Sequence, residues 1–359
     1  MLAQFEPLTT TVVGSYTVPD WYPAIEDAVR SGELPEEAAW DAQATAAKAA
    51  ILDHELAGID VVVDGELFRR LNNRHGPPNG MINYFTAKIP GFARETRDKY
   101  ISPVDESVFH PAPIVTGELE PVPLGLLDEL TFLRAHTDRP VKIAMTGPHF
   151  FAKVAWNEHY ATEEQLAMRL AEIINRELRD LADAGCEVIQ LDEALWAFFP
   201  DDLEWAIRAA NACVEGVEAY TILHLCQGNY NPDPSQRVGR RLFPGDFGNL
   251  FPGLLDLEFD QVQTEFHKDN ISVIELFREH AWPGELGLGI VDVQDHAIES
   301  VDELLPRVEH ALDVVPAERL WITPNCGMNH LPREVAYGKC RILAETAQRV
   351  RQSLSVAVA

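Results

Sequence analysis

This sequence of 359 residues predicts an α/β fold, a (β/α)8 TIM barrel with an irregular insertion after the second strand. Three observations carry the prediction. Short β-prone runs alternate with helical stretches along nearly the whole chain. Most of those runs are solidly apolar, as parallel strands covered on both faces must be. Each run ends in a polar residue, a cysteine or a glycine, and in a barrel all those ends share one face, where barrel enzymes react.

The elements follow in order. Thr9-Thr-Thr-Val-Val-Gly-Ser15 reads as the first strand, because β-branched side chains suit a pleated surface. Residues 22–58 read as helical; from Asp41 the stretch is Ala-rich with helical spacing, and Gly58 supplies the stop. Ile59-Asp-Val-Val-Val-Asp-Gly-Glu66 is the second strand. From Arg69 to about Glu120 the pattern dissolves into Pro, Gly, Asn and aromatics, apart from an apolar piece at 113–115. A long loop or hairpin insertion, about 74–120, is expected there. Regularity returns with a helix at 124–135 and a third strand at Pro140–Gly147. A strongly amphipathic helix over 162–185 leads into the fourth strand, Cys186–Glu193. A helix at 203–215 precedes the fifth, Tyr220-Thr-Ile-Leu-His-Leu-Cys226. A second irregular segment runs over 227–251. Then come strand 261–265, helix 271–280, strand 286–292, helix 301–314, strand 319–323 and a closing helix over 333–351. With no internal repeat or linker, residues 1–359 read as a single barrel domain.

Bulk composition narrows the partners. A net charge of −28 and a pI near 4.7 argue against nucleic acid and anionic membranes. No apolar run approaches the roughly 18–20 residues that span a bilayer, and residues 1–11 lack a signal-peptide pattern. Five cysteines, odd in number and widely spread, suggest reduced thiols and a cytoplasmic location.

The strand ends carry the chemistry. Alternation puts His224 and Cys226 on one face of the fifth strand. Glu265 ends the sixth, and Cys326 follows the eighth. Imidazole, two thiols and a carboxylate make a complete tetrahedral set for zinc. Two thiolates and a carboxylate would leave such a site with a net charge of −1, which makes a poor Lewis acid for hydroxide. It suits binding and deprotonating a thiol instead. Thiol alkylation is therefore favoured over hydrolysis.

At this point the sequence resembles a family. Val13-Gly-Ser15, Asp64-Gly-Glu66, Met145-Thr-Gly-Pro148, Gln190-Leu-Asp-Glu193, His224-Leu-Cys226, Thr264-Glu265 and Pro324-Asn-Cys-Gly327 are similar to motifs of the cobalamin-independent methionine synthase, specifically its C-terminal catalytic barrel. The likeness runs from about Thr9 to Arg351, in the manner of the short, single-barrel versions. It implies that His224, Cys226, Glu265 and Cys326 bind zinc. It further implies that Glu66 and Asp192 hold the amino group of homocysteine, with Val13, Gly14 and Ser15 at its carboxylate. Where the family carries a proton-donating histidine, this chain reads Asp292-Val-Gln294, with His296 as the nearby substitute.

The expected reaction is zinc-dependent methylation of homocysteine, or a related small thiol, to methionine. The donor expected is a methylcobalamin on a corrinoid protein rather than a methyltetrahydrofolate polyglutamate. Phe198 stands where the two-barrel enzyme has a pterin-binding acid, Val154 replaces a tryptophan with Trp156 nearby, and the net charge of −28 repels a polyanionic tail. Arg69, Arg70 and Arg74, or Arg237, Arg240 and Arg241, are the local cations that could offset that charge. The alternative is alkyl transfer to another thiol, as in epoxyalkane:coenzyme M transferases. Glu66 and Asp192 speak against it, because coenzyme M has a sulfonate and no amine.

Overall fold

The computed structural model describes residues 5–70, 80–100, 109–226, 246–266 and 268–358. In chain order it begins with strand β1 (Thr9–Thr10) and helices α1 (Tyr22–Arg30), α2 (Glu36–Ala57) and α3 (Asn83–Thr86). Strands β2 (Phe92–Tyr100) and β3 (Phe109–Val115) follow, then α4 (Leu126–Arg134), β4 (Lys142–Thr146), α5 (Pro148–Val154) and β5 (Trp156–Asn157). The middle holds α6 (Glu163–Asp183), β6 (Val188–Glu193), α7 (Leu203–Val214), β7 (Tyr220–Leu225) and β8 (Gln261–Glu265). The end holds α8 (Ile274–Glu279), β9 (Glu285–Val291), α9 (Val301–Leu312), β10 (Leu320–Pro324) and α10 (Arg333–Val358).

Seven strands pair in parallel in the order β1-β10-β9-β8-β7-β6-β4. Residues 61–62 close the ring: Thr11 bridges Val61 and Val62 bridges Val141, both in parallel. The Val61 N–H donates to Thr10 O at 3.0 Å and the Lys142 N–H to Val62 O at 2.9 Å. The barrel expected from the sequence is the barrel observed. Its first two strands are shorter than the apolar runs that signalled them. Past β1 the carbonyls of Val12 and Val13 accept from the side chains of Lys142 and Gln190 instead of from a neighbouring strand. Past Val63 the chain turns left-handed at Gly65 (φ 79°) and Glu66 (φ 60°), a conformation incompatible with a strand.

The insertion is partly a hairpin, as expected. Strands β2 and β3 pair antiparallel, and β3 pairs in parallel with β5, making a second sheet. Residues 74–79 and 101–108 of it lie outside the described residues, as do 227–245 of the second irregular segment. Helix α5 has no forerunner in the periodicity. It begins with Pro148, and its first turn is held by the Glu193 carboxylate, which accepts the N–H groups of His149 and Phe150 at 2.9 Å.

Alternation along the strands makes two cores. Outward residues meet the helices: α6 buries Leu166, Leu170, Ile173, Ile174, Leu178 and Leu181 against them, each contributing about 1.5–3 kcal/mol. Its Thr162 cap accepts from Gln165 N at 3.1 Å, a smaller effect. Inward residues form a separate plug of Val61, Val188, Tyr220, Ile222 and Trp321. Tyr220 and Trp321 stack at 5.0 Å, and Phe5 meets both rings edge-on. Above the plug the interior turns polar with Lys142, Gln190, Gln261 and Gln263, all at most 1% exposed. Among the described residues no helix is long and apolar enough to cross a membrane.

Close approach at β9 gives a test of the barrel. A Cβ on Gly289 would lie 2.5 Å from Thr264 O and 2.9 Å from Asn325 Cα, both backbone atoms that cannot swing aside. Gly289→Ala is expected to cost about 2–3 kcal/mol of stability, read from the urea midpoint. An unchanged midpoint would contradict the packing described here.

Candidate functional site

The polar tops of the strands meet at the C-terminal mouth of the barrel. His224 comes from β7, Cys226 follows its last residue, and Cys326 follows β10. One donor atom from each lies within 4.8 Å of the others, and the two sulfurs are 3.4 Å apart. His224 is only 2% exposed, yet neither ring nitrogen has an oxygen or nitrogen hydrogen-bond partner, the Cys226 thiol being the group beside it. A buried polar atom left unmade costs about 1–3 kcal/mol, and a metal bond to the imidazole would remove that cost. The donor set, one imidazole and two sulfurs, suits zinc. Glu265 is buried at the end of β8 but is not among the three donors that converge. Its charge is felt at the site all the same. Cys226 beside it, then burial and Glu265, hold the Cys326 thiol well above the usual thiol range. A cation among these groups would reverse that preference.

Three contacts shape the loop that carries Cys326. The Asn325 N–H donates to Val291 O at 3.0 Å, and its side-chain oxygen accepts from Val293 N at 2.9 Å. Met328 N donates to Ser15 O at 2.8 Å. At Gly327 the chain comes close to Ser15: a Cβ there would fall 2.1 Å from Ser15 Oγ and oblige that hydroxyl to turn away. Ser15 thus packs against the Cys326 turn.

Glu66 and Asp192 form a second group. Glu66 holds its left-handed conformation through its N–H, which donates to Asp64 Oδ1 at 2.9 Å. Strain of this kind gathers at functional sites. Gly14 lies against it, and a Cβ there would come within 2.4 Å of Glu66 Oε1. Burial pushes the Glu66 carboxyl up to about 7; the Arg69 guanidinium opposes this, and Asp192, Asp64 and Glu129 reinforce it. Burial also raises Asp192, against the pull of His224, Gln190 and Lys142. Two buried acids that destabilise each other's charge make a receptor for a cation.

The sequence reading gave no holding role to the residues around these acids. Arg69, 2% exposed, grips Glu129 at 2.7–3.1 Å, donates to Ala144 O at 2.8 Å and lies 3.4 Å from Glu66. Lys142 donates to Val12 O and to Gln190 Oε1. The Gln190 amide in turn donates to Val13 O at 2.8 Å and to Asp192 Oδ1 at 2.6 Å. A lysine at an inward position of a buried strand was the available signal.

Asp292 and His296 are not among the three converging donors. Asp292 is buried, with Oδ1 accepting from Gln294 N at 2.9 Å and its own N–H donating to Glu299 at 2.8 Å. His296 is exposed on the same loop. A histidine that sequence reasoning missed, His330, lies 2.8 Å from Val293 O and ties the loop after β10 to that after β9.

The cations expected to offset the chain's charge are differently employed. Arg69 is buried in its ion pair with Glu129, and Arg70 pairs with Glu26 at 3.2 Å. Arg74, Arg237, Arg240 and Arg241 lie outside the described residues. Phe198 packs into the main core, Val154 is fully buried, and Trp156 donates from its indole N–H to Arg97 O at 3.1 Å on the hairpin.

Residues 8–349 match the family described as cobalamin-independent synthase, catalytic domain. The chain is 31% identical to methionine synthase of Saccharolobus solfataricus, over 97% of this chain and 96% of that one. It is 30% identical to methionine synthase of Sulfurisphaera tokodaii, over 97% and 94% respectively. A B12-independent methionine synthase from Shewanella sp. W3-18-1, solved in complex with selenomethionine, superposes with a TM-score of 0.81 at 26% identity, over 98% of this chain and 100% of that one. The expected corrinoid donor is thereby corrected, since the matched family is defined as independent of cobalamin. Phe198, packed into the core, gives no ground for it.

The sulfurs offer a check on the geometry. Burial pushes the Cys186 thiol up to about 12 and those of Cys213 and Cys340 up as well, which leaves them inert. Mild oxidation of metal-stripped protein should join Cys226 to Cys326 and leave the other three reduced. Peptide mapping by mass spectrometry reads the result. A linkage through any other cysteine would show that the two strand ends do not meet as described.

Proposed function

The chain belongs to the family of cobalamin-independent synthase catalytic domains, and from that premise we propose that it methylates homocysteine to methionine at a zinc site of His224, Cys226, Cys326 and Glu265, with methyltetrahydrofolate as donor. The observation that carries this reading is His224, buried with no oxygen or nitrogen partner and converging with two sulfurs, beside the paired acids Glu66 and Asp192. Zinc bound there would make an incoming thiol acidic enough to be a thiolate at neutral pH.

The protein's own groups do the rest. Glu66 and Asp192 receive the substrate ammonium, and the turn at Val13, Gly14 and Ser15 receives its carboxylate. Both ends of the amino acid are then fixed, so that the sulfur meets the methyl group in line. A sulfur–carbon bond forms as the bond from the methyl group to N5 of the donor breaks. N5 leaves with the electron pair and needs a proton. We assign that proton to the loop after β9, and within it to His296, since the Asp292 Oδ1 is engaged by Gln294. We read the whole chain, insertion included, as one catalytic unit.

Two measurements test this. Purified protein should carry one zinc per chain, and Cys226→Ser and Cys326→Ser should each lose most of it by metal analysis, with methyl transfer from methyltetrahydrofolate to homocysteine falling in parallel. Full zinc retention in both variants sinks the site; zinc without transfer sinks the reaction. The second measurement is binding of methionine, which has the same amine and carboxylate but no thiol proton. The ammonium needs Glu66 ionised, and its carboxyl is held up at about 7, so affinity falls as pH drops through that value. Calorimetry should find methionine bound about tenfold more weakly at pH 6 than at pH 8, with the difference lost in Glu66→Gln. Equal affinity at the two pH values would remove Glu66 from the amine site.

A further inference from the structure

A lysine inside a barrel is costly unless its three donors are used. Lys142 is 1% exposed, and its ammonium donates to Val12 O and to Gln190 Oε1. A primary amide has one acceptor end and one donor end, and with the lysine on the Gln190 oxygen the two cannot exchange. Its NH2 group is therefore directed at Val13 O (2.8 Å) and Asp192 Oδ1 (2.6 Å). Turned over, the amide would set its oxygen against a carbonyl and a carboxylate while its NH2 faced the lysine.

We propose that Lys142, acting through Gln190, is a positioning residue for the amino-acid end of the substrate. It spends one Asp192 oxygen on Gln190 and so aims the other, with Glu66, at the substrate ammonium. The same lysine holds Val12 and, through Gln190, Val13, the residues that lead into the Gly14–Ser15 turn. One side chain thereby sets the spacing between the amine and carboxylate positions. This rests on the amine pocket assigned above. Neither Lys142 nor Gln190 belongs to the metal-donor cluster, so the role separates from metal binding.

The test compares two thiols that differ only in the amine: homocysteine and 4-mercaptobutanoate. Wild-type protein should prefer homocysteine in kcat/KM. In Lys142→Met, which keeps the length and apolar stem but no donor, that preference should shrink about tenfold or more, the scale of a lost charge-assisted hydrogen bond, mostly through KM for homocysteine and with zinc content unchanged. Gln190→Met removes the relay and leaves the lysine, so it should show the same selective loss and covers the case in which Lys142→Met does not fold. A purely structural role would lower both thiols alike and leave the ratio where it was, which overturns the proposal. If the wild type itself makes no distinction between the thiols, the amine pocket is wrong and the proposal falls with it. If the wild type discriminates and both variants keep the discrimination, only the positioning role fails.

Discussion

The parallel register of β6 on β7 is the constraint on which the site depends. Asp192 pairs with His224 and Gln190 with Ile222, so every second residue of the two strands stacks inside the barrel in layers. The bottom layer is apolar, the next holds the Gln190 amide, and the top holds an acid beside an imidazole. Leu191, Leu223 and Leu225 then face the helices. A shift of one residue would turn the leucines inward and carry Asp192 and His224 into the outer core. The free energy that holds the register is thus the burial of the outer leucines, and the chemistry is its consequence.

Inside that frame the cost of polarity is met locally. Arg69 and Glu129 form a buried pair in forked geometry, with a further bond to Ala144 O. Such pairs add little net stability against an apolar equivalent, so the reason for this one lies in what it touches. Arg69 reaches Glu66 and tempers the effect of burial on that carboxyl. On the other side burial draws Lys142 down to about 7, while Asp192 and Glu66 resist that fall. Two cations flank two acids that face the mouth, which makes their charge responsive to an arriving ammonium. Arg69 and Lys142, two of the buried cations in a chain of net charge −28, thus stand beside these acids.

At the mouth, the loops after β1, β9 and β10 are tied to one another. Asn325 bonds to the loop after β9, Met328 to Ser15 after β1, and His330 to Val293. Donors drawn from strands far apart in sequence can hold a fixed geometry only if their loops share such contacts. Gly327 leaves the space that Ser15 fills, and Gly14 the space that Glu66 fills.

By itself the sequence determined the fold class, the order of the strands and the types of residue at their ends. Those follow from periodicity and polarity, which are local: the runs at Pro140–Gly147 and Cys186–Glu193 are legible as buried strands whatever surrounds them. His224 and Cys226 were legible as a pair because alternation alone puts them on one face. Tertiary structure decided which distant residues meet and which side chains are already spent. That Cys326 comes within 3.4 Å of Cys226 depends on barrel closure. Helix α5 depends on a carboxylate 43 residues away, whereas the left-handed turn at Glu66 rests on its own neighbours Gly65 and Asp64. Arg69 read as a cation free to offset the chain's charge and is instead spent in a buried pair, because only the folded chain brings Glu129 to it. Lys142 lay within a strand run and Gln190 within a family motif, and neither was given a role by the sequence reading. The Gln190–Asp192 contact is local, but only the closed barrel brings Lys142 to Gln190 and Val12 and Gln190 to Val13, since partners 48 to 177 residues apart leave no periodic trace in the chain.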